Sequence, residues 1–86
     1  MTAGEMSILI IERYPRMIEP QIYEESPNNY TIKTYLPPSS ENKLNVLRRG
    51  KTRMMSTSFE FNEDGSISFK FKNIGDTFPL LDTILK

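Results

Sequence analysis

The stretch Thr57–Asn73, TSFEFNEDGSISFKFKN, constrains the fold more than any other. Before its turn, Thr57, Phe59 and Phe61 alternate with Ser58, Glu60 and Asn62; after it, Ile67, Phe69 and Phe71 alternate with Ser68, Lys70 and Lys72. Period-two alternation on both sides of an Asn/Asp/Gly cluster is the pattern of a β-hairpin with one buried face. Parity selects the loop. A two-residue Asp-Gly turn would set Phe61 opposite Ser68 and mix apolar with polar residues on each face. A three-residue loop pairs Asn62 with Ser66, Phe61 with Ile67 and Phe59 with Phe69, and gathers every large apolar side chain on one face. The sequence therefore predicts a type I turn with Gly65 left-handed in a bulge. Ser58, Glu60, Ser68 and Lys70 fall on the other, solvated face. A lone hairpin is marginal in water, so the Phe face must be covered.

The cover has few sources in a chain of 86 residues. In the C-terminal segment, Phe78, Leu81 and Leu85 recur at helical spacing with Leu80 and Ile84 beside them, Asp76 stands where an N-cap would, and Pro79 lies in the first turn, where it is tolerated. This segment reads as an amphipathic helix packed on the hairpin. Ser39 to Arg49 reads as a short middle helix, with Ser39-Ser40-Glu41 opening it, Leu44 and Leu47 on its inner face and Gly50 after its last turn. A strand is the rival reading, because Leu44, Val46 and Arg48 also alternate.

Upstream, Tyr30 to Leu36 alternates as a strand with Tyr30, Ile32, Thr34 and Leu36 on one face and Thr31, Lys33 and Tyr35 on the other. Ser26-Pro27-Asn28-Asn29 before it is a turn. Gln21 to Glu25 reads as an edge strand, since Pro20 opposes a helix there. Met6 to Tyr14, with the run Ile8-Leu9-Ile10-Ile11 and Pro15 after it, reads as a strand buried on both faces. Met1 to Glu5 is expected to fray. The expectation is one α+β domain over residues 1–86: an antiparallel sheet of four or five strands with the terminal helix on one face.

Ile, Leu, Val and Phe make up about a quarter of the chain, above the level that signals disorder. Domains of this size bury only about 60–65% of their unfolded surface, which leaves apolar area for a partner. There is neither Cys nor His. Disulfides, thiolate or imidazole metal sites, a thiol nucleophile and imidazole acid–base chemistry are thereby excluded. The adjacent Glu24 and Glu25 would point to opposite faces of a strand and form no carboxylate pair. No catalytic residue, metal site or cofactor is expected. No signal sequence or membrane span is apparent, and a cytoplasmic location is expected.

Net charge is zero but segregated. Residues 42–59 carry Lys43, Arg48, Arg49, Lys51 and Arg53 and no acid, whereas acids dominate residues 1–41. Gly50-Lys51-Thr52 resembles the end of a phosphate-binding loop, but that motif needs glycine at position 45, which is Asn, and a helix rather than a strand after it. The Phe stripe lacks the glycine-rich pattern of RNA-binding sheets and reads as core. The residues best placed to bind a partner are Arg48, Arg49, Lys51 and Arg53 with Met54 and Tyr35, since basic clusters, exposed Met and Tyr suit interfaces. The function expected is that of a non-catalytic protein-binding module or small regulatory subunit with a protein partner, in a homo- or hetero-oligomer; the alternative is a nucleic-acid-binding module using residues 43–53.

Overall fold

The structure, a computed structural model, describes residues 1–49 and 57–86. In chain order they form α1 (Ala3–Arg13), β1 (Ile18–Ser26), β2 (Asn29–Tyr35), α2 (Pro38–Arg49), β3 (Ser58–Phe61), β4 (Ile67–Phe71), a 3-10 turn (Ile74–Thr77) and α3 (Phe78–Leu85). The strands make one antiparallel sheet in the order β1-β2-β4-β3. Two hairpins are thus joined through their inner strands, β2 and β4, and α2 provides the crossover between them. The fold is α+β, with the helices on one face of the sheet.

The hairpin has the register its parity requires. Phe61 pairs with Ile67 and Phe59 with Phe69. Asn62 N–H donates to the Ser66 carbonyl (2.9 Å) and Gly65 N–H to that of Asn62 (3.2 Å), and Gly65 has φ +88°. Ile67 and Phe69 are fully buried. Ser68, expected in solvent, is buried as well, because Asn62 Nδ2 reaches back across the turn to its hydroxyl at 2.9 Å.

Leu80, Leu81, Ile84 and Leu85 of α3 lie in the same core cluster as Phe69 and Phe71. This helix is the cover the Phe face needed. Asp76 is not its cap. Asn73 Oδ1 instead accepts from Gly75 N–H (3.0 Å) to open the 3-10 turn, and α3 follows Thr77 with no side-chain cap. The chain enters the helix already wound, so a capping side chain has little left to supply.

The largest departure from expectation is at the N-terminus. Residues 3–13 form a helix, not a strand, and the segment expected to fray contains its start. Thr2 Oγ1 accepts from Glu5 N–H (3.2 Å) while Glu5 Oε1 accepts from Thr2 N–H (2.8 Å), a reciprocal capping box. Met6, Ile10 and Tyr14, four apart, are buried, whereas Ile8 and Ile11 are 61% and 53% exposed. A four-residue apolar run fits a strand or a helix equally; the cap upstream decides it.

β1 is the edge strand expected, though longer. Glu19, before Pro20, has φ +51° at a register irregularity between Ile18 and Gln21. β2 divides its faces as anticipated: Tyr30 stacks on Phe71 with ring centroids 5.7 Å apart, and Ile32 and Thr34 are buried. The middle segment is a helix, with Leu44 fully buried. Gly50 lies outside the described residues.

Candidate functional site

Strand alternation gives the sheet two unlike faces. One points into the helices. The other carries Ile18, Gln21 and Tyr23 of β1, Thr31, Lys33 and Tyr35 of β2, and Ser68 and Lys70 of β4. The register sets Ile18 opposite Tyr35 and Gln21 opposite Lys33, and places Thr31 between Tyr23 and Lys70. Among the described residues no helix covers this face. Ile18 is 47% and Tyr23 42% exposed, and Tyr35 is half-buried.

Charge on this face is balanced locally. Lys33 Nζ lies 3.4 Å from Asp64 Oδ2, and Lys70 Nζ 3.7 Å from Glu60 Oε1. Asp64 also accepts from the Ser66 hydroxyl and from Ser66 N–H at 2.9 Å. The hydroxyl, then the amide, then Lys33 hold its carboxyl down at about 2, so it stays ionised. Thr31 is 1% exposed and its Oγ1 has no hydrogen-bond partner among the described residues.

Beside the Glu19 irregularity, a cleft of about 180 Å³ is lined by Glu19, Gln21, Lys33, Thr34 and Tyr35. A positive φ at a non-glycine residue is costly and tends to persist where the surroundings hold it, often at binding surfaces. The cleft is smaller than the roughly 300–1,000 Å³ usual for small-molecule sites. Two further clefts, one near Tyr30 and Asn73 (about 270 Å³) and one near Phe59 and Lys70 (about 280 Å³), also fall below that range.

The residues singled out from the sequence do not share one surface. Tyr35 stands on the open sheet face. Arg48 lies in the last turn of α2 in the helical layer, its guanidinium 4.4 Å above the Phe61 ring and 3.1 Å from Asn45 Oδ1. It fastens α2 to the hairpin, a contact of about 0.5–1 kcal/mol at an exposed site. Arg49, beside it, is exposed. Lys51, Arg53 and Met54 lie outside the described residues. Ile18 and Tyr23 share this face only because the irregularity between Ile18 and Gln21 shifts the alternation by one residue, which strict period two in the sequence does not reveal.

A second polar cluster joins α1 to α3. The Tyr14 hydroxyl donates to Asp82 Oδ1 (2.6 Å), Arg13 Nη2 donates to Asp82 Oδ2 (3.1 Å), and Arg13 Nε donates to the Tyr14 oxygen (3.1 Å). Arg13 also sits 4.2 Å over the Phe78 ring. Burial, then the Asp82 carboxylate, push the Tyr14 phenol up, while the Tyr14 hydroxyl and then Arg13 lower the Asp82 carboxyl. A neutral phenol donating to a carboxylate is a clamp between helices, with its polar groups already paired.

Among the described residues, no three His, Cys, Asp or Glu side chains gather where a metal ion could be held, and no helix is long and apolar enough to cross a membrane. Comparison with known protein families, with curated proteins and with solved structures found no match.

Proposed function

We propose that this protein is a non-catalytic protein-binding module that receives its partner on the open face of the sheet. The observation that carries this reading is the exposed pair Ile18 and Tyr23 on the open face, with half-buried Tyr35 opposite Ile18 and with Lys33 between them and Lys70 beside them already partnered by Asp64 and Glu60. Tyrosine-rich surfaces with a polar rim suit protein interfaces, because Tyr adds large contact area with little rotamer entropy to lose. A polyanion draws its affinity from unpaired cations that release counterions, and the lysines of this face already have carboxylate partners. The chain has no His or Cys to serve as acid, base or nucleophile, which favours binding over catalysis.

The test is capture of partners from the native host on immobilised wild-type protein, the double variant Tyr23→Ser/Tyr35→Ser and the control Arg49→Ser. Expected is a protein retained by wild type and Arg49→Ser, lost with the double variant, and resistant to washing at about 0.5 M salt, where exposed charge pairs are screened. Retention that depends on Arg49, or that salt or nuclease abolishes, would replace this reading with nucleic-acid binding through the basic segment.

A further inference from the structure

The outward faces of α1 and α2 carry matching patterns of opposite charge. On α1, Ile8 is 61% exposed, and Gly4 and Ile11 continue its stripe one turn to either side. Glu5 and Glu12, both exposed, bracket Ile8 at spacings of three and four. On α2, Val46 is likewise 61% exposed, with exposed Lys43 and Arg49 three residues before and after it. Residues three and four apart on a helix are neighbours on its surface, so each apolar side chain stands between two like charges. The signs are opposite on the two helices.

The two stripes cannot meet within one molecule by this route, since α1 packs against β1 and α2 lies by α3 and the β3 end of the sheet. They can meet between molecules. We propose that the α1 face is the docking site for α2 of a second copy of this chain. Ile8 then packs against Val46, and Glu5 and Glu12 face the cations Lys43 and Arg49, in either helix direction. Glycine at position 4 lets the partner backbone approach at the end of the stripe.

An α1–α1 pairing is disfavoured, because it would oppose Glu5 and Glu12 to their own copies. The contact is heterologous: each copy offers both halves, so association extends from copy to copy unless the rotation closes a ring. A contact between two helix faces is small beside a standard interface, so it belongs to the weak, concentration-dependent class. The helix faces used here lie on the other layer from the sheet face proposed above; Arg49 serves in both tests, so partner capture there is scored on proteins other than this chain.

Sedimentation velocity of the full chain decides it. The weight-average sedimentation coefficient of wild type should rise between tens and hundreds of micromolar at low salt and fall back at about 0.5 M salt. Ile8→Lys and Val46→Glu, both at positions more than half exposed, should keep the far-UV spectrum and melting temperature but weaken self-association about tenfold or more. Mixed one to one, they should associate again, because Val46→Glu supplies an intact α1 face and Ile8→Lys an intact α2 face. Glu12→Lys and Arg49→Glu test charge alone: each should weaken self-association, and their one-to-one mixture should regain it, since the two reversed charges attract each other. Wild type that stays monomeric throughout, a mixture that stays monomeric, or an association lost in Ile8→Lys but untouched in Val46→Glu would each overturn the proposal.

Discussion

At the scale of single residues, the turn position Gly65 fixes the hairpin. Its φ of +88° lies in the left-handed region, and a Cβ built there meets nothing within 4 Å. The demand for glycine is therefore conformational rather than steric crowding from neighbours. Gly65→Val should destabilise by about 1–2 kcal/mol through the backbone alone, while Gly65→Asn, which tolerates this conformation, should be nearly neutral. Urea unfolding of the two variants checks this; equal loss in both would mean that space, not φ, is limiting. Glu19, with φ +51°, is the opposite case: a side chain held where glycine would be easier, next to the sheet-face cleft.

At the scale of elements, α1 is where sequence and structure part. A strand buried on both faces would need every side chain of Ile8-Leu9-Ile10-Ile11. The helix buries Ile10 fully, packs Leu9 at the core margin and leaves Ile8 and Ile11 outside. Ile10→Ala should cost about 2–5 kcal/mol, and Ile11→Ala, one residue away, less than about 0.5 kcal/mol in dilute solution. Comparable losses at the two positions in thermal melts would restore the strand. Among the described residues Ile8 and Ile11 stay outside the core, and the proposal above assigns this outer face to a second copy.

At the scale of the whole molecule, stability depends on α3. It sits in a core cluster that, among the described residues, unites α1, α2, β2 and β4, and Leu81 at its centre is fully buried. Ending the chain at Thr77 should therefore give not a trimmed domain but an expanded state that binds a hydrophobic dye and lacks a cooperative melt, because both hairpins lose their cover at once. A cooperative transition in that truncation would show that the sheet is completed by something else.

Local chemistry determined much of this. Alternating Phe and polar residues with Gly65 at one parity settle the hairpin's register, since a one-residue slip would turn every Phe to the wrong face. Proline and asparagine place the first hairpin's turn, and the spacing of Leu81 and Leu85 makes the last segment a helix. Such signals are complete within a few neighbouring residues. The tertiary structure alone decided the rest. Whether an apolar run of four is strand or helix depends on what lies beside it. Which tyrosines are core is fixed by the layer they face: Tyr14 is clamped to Asp82 and Tyr30 stacks on Phe71, while Tyr23 and Tyr35 stand on the open face. Arg48, part of a basic run in the sequence, rests on Phe61 in space. Periodicity says which residues share a face, but only the packing of elements distant in the chain says which faces are covered.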